Sequence, residues 1–127
     1  MTEMTDASTM PKPPANLAPY VEAIGAEDAV RLFLALGGTI IYLPKDRSTS
    51  RSRAAQVIGA RKVETLAGRL GLDYVKVPLA KEWIARVMFA QGETIAEIAR
   101  TVRSDVSTVR RWLGPSTGAR QMDLFSV

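Results

Sequence analysis

The 127-residue sequence predicts a mainly α-helical fold with a small two-stranded β element. A doubled helix–helix–strand unit is expected first, followed by a three-helix unit. Two observations carry this prediction. An offset of 34 residues lays one stretch of the chain over another, and after Pro78 the apolar spacing becomes that of three short helices parted by turn residues. The expected organisation is a disordered tail over 1–15, a doubled domain over 16–79 (16–45 and 50–79), a helical domain over 80–113 and a flexible tail over 114–127.

The repeat is anchored by Ile24-Gly25-Ala26, which recurs as Ile58-Gly59-Ala60. At the same offset Leu32 falls on Leu66, Leu36 on Leu70, Gly37 on Gly71, Ile41 on Val75, Leu43 on Val77 and Pro44 on Pro78. Asn16 and Ser50 occupy equivalent positions and are expected to cap the first helix of each copy, because such side chains accept a bond from an orphan N–H. Gly25 and Gly59 break the path to a second helix, over about 27–36 and 61–70. Gly37 and Gly71 stand where a helix stops and positive φ costs glycine little. Strands follow at 39–43 and 73–77, rich in β-branched and aromatic residues and closed by proline. A short strand is not stable alone, so the two copies are expected to pair with each other, antiparallel and about a pseudo-two-fold axis. The apolar periodicity of both copies is assigned to core packing.

Charge is divided unevenly along the chain. The net charge is +4; residues 1–45 hold three basic and five acidic side chains, and residues 46–127 hold fourteen and eight. A basic C-terminal portion is the electrostatic footprint of a nucleic-acid binder, although a solvated basic surface has the same composition. The stretch 45–53 concentrates Lys45, Arg47, Arg51 and Arg53 among serines. It reads equally as a flexible connector and as an arm contacting phosphates.

Other classes are disfavoured. The sequence has no His and no Cys, which removes the usual zinc sites and the Ser-His and Cys-His nucleophiles. The acidic residues are scattered, so no enzyme activity, metal or cofactor is expected. The lack of Cys fits a reducing cytoplasm. No apolar run reaches the roughly 20 residues of a membrane helix, and residues 1–14 show no signal pattern.

After Pro78, residues 82–90 form a helix with Trp83, Ile84, Val87 and Met88 on one face, ended by Gln91-Gly92-Glu93. Thr94-Ile95-Ala96-Glu97 is a capping box that opens a second helix over 95–102, where small Ala99 suits a close helix crossing. Arg103-Ser104-Asp105 makes a turn, and Asp105 is placed to cap a third helix over 106–113. Val109, Trp112 and Leu113 point inward or to the seam, leaving Val106, Ser107, Arg110 and Arg111 outward. Small polar residues at a helix start with arginines one turn later suit a recognition helix in the major groove of duplex DNA. An ordinary three-helix packing unit with a basic face is the plainer alternative.

The run 95–113 resembles the helix-turn-helix of site-specific recombinases and small phage regulators. By that resemblance Ser107 and Arg111 contact bases, while Arg103, Thr108 and Arg110 touch phosphate. Taken with Gly37-Gly38-Thr39-Ile40-Ile41-Tyr42-Leu43-Pro44-Lys45, the stretch from Leu17 to Leu113 resembles the Mor transcription-activator family of phage and prophage proteins. The resemblance implies a transcriptional regulator in which the glycine-strand-proline segment supports dimerisation and the dimer contacts RNA polymerase. Two departures stand out: the unit is doubled, and the second copy lacks the second glycine and has its Tyr moved. Pairing of the copies within one chain fills the implied dimer interface, so both a monomer and a homodimer fit.

The tail supplies a second expectation. Gln121-Met122-Asp123-Leu124-Phe125 resembles the pentapeptide by which bacterial replication and repair proteins dock on the DNA polymerase sliding clamp. It implies Leu124 and Phe125 as apolar anchors, Gln121 bonding at the pocket rim and Met122 adapting to fit. A tail folded back to bury Leu124 and Phe125 is the alternative.

Overall fold

A computed structural model describes residues 10–43 and 52–114. It contains, in order, α1 (Ala18–Leu36), β1 (Ile40–Tyr42), α2 (Arg53–Ile58), α3 (Ala60–Leu70), β2 (Tyr74–Lys76), α4 (Lys81–Ala90), α5 (Ile95–Val102) and α6 (Val106–Leu113). The chain is thus mainly helical with one two-stranded antiparallel sheet, the fold class the sequence predicts. It divides into two compact units, Pro13–Ala80 and a second made of 10–12 with 81–114. No helix among the described residues is long and apolar enough to cross a membrane.

In the first unit, equivalent backbone features recur at the 34-residue offset. Gly25 interrupts α1 with φ 86°, ψ 160°, and Gly59 separates α2 from α3 with φ 90°, ψ 151°. Only glycine occupies that region without strain. The buried positions recur likewise: Ile24 with Ile58, Ala29 with Val63, Leu32 with Leu66, Phe33 with Ala67 and Leu43 with Val77 are all core residues.

The strands meet about a local two-fold. Ile41 pairs with Val75, the residue 34 positions on, flanked by Ile40 with Lys76 and Tyr42 with Tyr74. Main-chain bonds extend the pairing at both ends, from Val77 N to Thr39 O (2.8 Å), Gly38 N to Val77 O (2.7 Å) and Leu43 N to Asp73 O (2.7 Å). Ile41, Leu43 and Val77 face the core, while Ile40, Tyr42 and Tyr74 lie on the exposed face, where the two tyrosine rings sit 5.2 Å apart. A second self-equivalent contact joins Asp28 to Lys62, again 34 residues apart. The Lys62 hydrogen bond holds the Asp28 carboxyl below its ordinary range against partial burial, with help from Arg31 at 3.0 Å.

Three local expectations are corrected. Asn16 does not cap α1: Leu17 is the cap residue, with no side-chain cap bond. The Pro14 carbonyl takes that part, accepting from both Leu17 N and Ala18 N at 2.9 Å. Ser52 caps α2, its Oγ accepting from Ala55 N at 3.0 Å, and Ser50 lies outside the described residues. Gly71 is left-handed as expected (φ 69°), but Gly37 has φ −54°. Glycine at 37 answers to space, since a Cβ there would sit 2.4 Å from the Phe33 carbonyl oxygen and 3.0 Å from that of Pro78.

The glycines of this unit separate by sign. An added Cβ meets nothing within 4 Å at Gly25, Gly59 or Gly68, so backbone conformation alone decides the effect. Gly25→Ala and Gly59→Ala are each expected to destabilise by about 1–3 kcal/mol. Gly68→Ala, within α3, is expected to stabilise by up to about 1 kcal/mol. Urea unfolding of the three variants checks both directions.

Candidate nucleic-acid interface

The second unit is built on three helices that pack pairwise. Trp83, Ile84, Ala85 and Val87 of α4, Ile95, Ile98, Ala99 and Val102 of α5, and Val109 of α6 form its core. Met88, Trp112 and Leu113 are half-buried. The Trp83 indole N–H donates to the Pro11 carbonyl oxygen at 3.2 Å, so from Met10 onward the segment read as a tail belongs to the described structure.

The two helices after Gly92 start and stop where the sequence places them, and side-chain caps account for this. Thr94 Oγ1 accepts from Glu97 N at 3.1 Å, opening α5. The Glu97 carboxylate lies 3.7 Å from Arg100. Arg103 ends α5 in a left-handed conformation, φ 59°, ψ 52°, which costs a non-glycine residue roughly 1–2 kcal/mol. The chain turns there through Ser104, and Asp105 Oδ1 accepts from Thr108 N at 2.9 Å to open α6.

α4 holds α6 and the turn before it from outside. Lys81 Nζ donates to the Arg103 carbonyl oxygen at 3.4 Å. Arg86 donates to the Trp112 carbonyl oxygen at 3.0 Å and pairs with Glu82 at 2.7 Å. A cation at the last carbonyls of a helix also complements the helix dipole. Sequence reasoning assigned α4 to packing and did not reach these two bonds. Glu82 and Arg86 at i, i+4 were the available signal for the pair, but nothing local points to Trp112.

The face of α6 opposite Val109 carries Ser107, Arg110 and Arg111, all exposed, with Val106 at its edge and half-buried Thr108 beside it. Arg103 is exposed in the adjoining turn. Hydrogen bonds from the Thr108 side chain, then from its N–H, hold the Asp105 carboxyl below its ordinary value, with Ser107 and the charge of Arg111 adding to the effect. Arg103 and Arg110 make no ion pair among the described residues. The structure therefore gathers Arg103, Val106, Ser107, Thr108, Arg110 and Arg111 on or beside one short helix. Arg53 opens α2 in the first unit and is exposed. Lys45, Arg47 and Arg51, and the Gln121 to Phe125 pentapeptide, lie outside the described residues.

Searches against protein-family models, curated proteins and solved structures give no match for this chain.

The caps make two expected outcomes. Thr94→Ala should cost about 1 kcal/mol in chemical denaturation, because the Glu97 N–H loses its acceptor. Asp105 has a folded-state pKa below its unfolded one, so its contribution is present above the unfolded value near 3.8 and is lost as pH falls through the folded value. Wild-type Tm should therefore fall more steeply below about pH 4 than that of Asp105→Asn, which keeps an acceptor without the titrating charge. Parallel melts across pH 2–7 check the difference.

Proposed function

We propose that this chain is a sequence-specific duplex-DNA-binding protein, a transcriptional regulator of the Mor type, whose reading element is α6. The observation that carries the proposal is the exposed row of Ser107, Arg110 and Arg111 on a short helix with an Asp105-capped start. Such a helix fits the major groove, and its first residues meet base edges. In this reading Arg111 bonds O6 and N7 of a guanine together, and Ser107 bonds a neighbouring base edge. Arg103, Thr108 and Arg110 take backbone phosphates and set the register without reading sequence. The contact with RNA polymerase that such regulators use to activate promoters belongs to the same proposal.

The electrostatic part is testable by salt. Affinity for a random duplex, measured by fluorescence anisotropy, should fall log-linearly with salt as counterions are released. No binding at low salt, or a flat response, overturns the proposal. Arg103→Gly should lower the salt slope by about 1 while leaving stability unchanged or slightly raised, because glycine relieves the left-handed strain. Arg111→Ala should cost about 1–3 kcal/mol on a selected site and relax the preference at one base pair.

A further inference from the structure

The two-stranded sheet is covered on one side only. Ile41, Leu43 and Val77 face the core, while alternate rungs present Ile40 with Lys76 and Tyr42 with Tyr74 on the other side. Ile40 and Tyr74 are each 66% exposed there, and Tyr42 is 52% exposed. Leu72, just before β2, and Leu79, whose side chain lies beside Gly38 at the other end of the strands, are also more than half exposed. Among the described residues the remaining exposed large apolar side chains are Leu34 and Val106. Exposed apolar surface is therefore gathered at one small sheet, where a patch of this kind marks an interaction site. Its size fits a definite kind of partner. The exposed parts of two tyrosines, an isoleucine and two leucines come to about 450 Å². A standard protein interface takes about 800 Å² from each partner, of which about 55–65% is apolar, so this face supplies the apolar share of one such interface. With Lys76 as the one cation among these six side chains, it suits an apolar surface and not a phosphate backbone. The face is also its own complement. When two such sheets stack about a dyad parallel to the strands, β1 of one copy lies over β2 of the other. The tyrosine pair then meets the tyrosine pair, and Ile40 meets the aliphatic stem of Lys76. The two Lys76 ammonium groups stand on opposite sides of the dyad, so the stacking sets no like charges face to face.

We infer that this face is the contact between two copies of the chain, which stack sheet on sheet as a symmetric homodimer. It is a different surface from the strand segment that the Mor resemblance implies between subunits, because β1 already takes its strand partner from the same chain. The inference does not depend on the DNA-binding reading. Where both hold, the dimer carries two copies of α6 and its DNA site has two half-sites.

The test measures self-association of the whole chain without DNA. Sedimentation velocity across the micromolar range should show a monomer–dimer equilibrium. Tyr74→Thr keeps a strand-forming residue and removes the ring; it should weaken the dimer at least about tenfold, as loss of an aromatic anchor does. Leu34→Ser, at an exposed apolar position of α1, should leave the dimer unchanged. In the wild type, amide hydrogen exchange at 40–42 and 74–76 should slow as concentration rises, while that of α5 does not. This measurement decides the matter should Tyr74→Thr fail to fold. A wild type that stays monomeric throughout overturns the inference and leaves DNA binding by a monomer standing. So does a dimer that Tyr74→Thr leaves intact, one that Leu34→Ser weakens as much, or one whose protection lies away from the sheet.

Discussion

The pairing of two three-residue strands is the constraint on which the first unit depends. Neither β1 nor β2 has enough main-chain bonds to persist alone. Each takes its partner from the other half of the same unit, with Ile41 opposite Val75 at the centre. The helices before the strands also meet at equivalent positions, Asp28 of α1 against Lys62 of α3. The opposite charges at these two positions matter: identical residues there would set like charges against each other across the local axis. Equivalent core positions differ in size as well, with Phe33 where the other half has Ala67 and Ala29 where it has Val63.

The second unit depends on a different device. Its helices are short, eight residues each in α5 and α6, too short to persist on propensity. Side-chain acceptors at Thr94 and Asp105 fix where they begin. The buried aliphatic core fixes how they lie, and the Lys81 and Arg86 bonds hold the turn and the far end of α6. The left-handed Arg103 between them is a local cost accepted for a tight turn. Its carbonyl is the one Lys81 engages, so the strained residue is also a tethered one.

What was legible in the sequence follows from how local each cause is. The bounds of α5 and α6 were readable because Thr94 and Asp105 act on N–H groups three residues away. The antiparallel pairing was readable because the repeat supplies two strands and short strands need partners. Asn16 misled because its cap competes with a carbonyl: the Pro14 oxygen already serves the first N–H groups of α1, and a side-chain acceptor is then not needed. Gly37 misled because crowding and positive φ both select glycine, and only the nearby Phe33 and Pro78 carbonyls tell them apart. The Arg86 bond to Trp112 joins residues on separate helices, so no local pattern encodes it.

The charges of the second unit bear on why α6, and not another face, is proposed to meet DNA. Glu82 is engaged by Arg86, Glu97 lies against Arg100, and Asp105 is spent on its cap. The acids on these helices and at the α6 cap are thus each matched by a local donor or cation, whereas Glu93, in the turn before α5, is exposed and makes no ion pair among the described residues. Five cations of the unit make no ion pair among the described residues, Lys12, Lys81, Arg103, Arg110 and Arg111, and the three arginines sit in and just after the turn that leads into α6. Three of these five cations therefore collect at one helix. A phosphate approaching that helix meets cations whose counter-charges are water and salt, and displacing those is what gives DNA binding its favourable entropy. The same phosphate near Arg86 of α4 or Arg100 of α5 meets a pair already closed. On the proposed reading, the placement of acids selects the DNA-facing surface as much as the placement of arginines does.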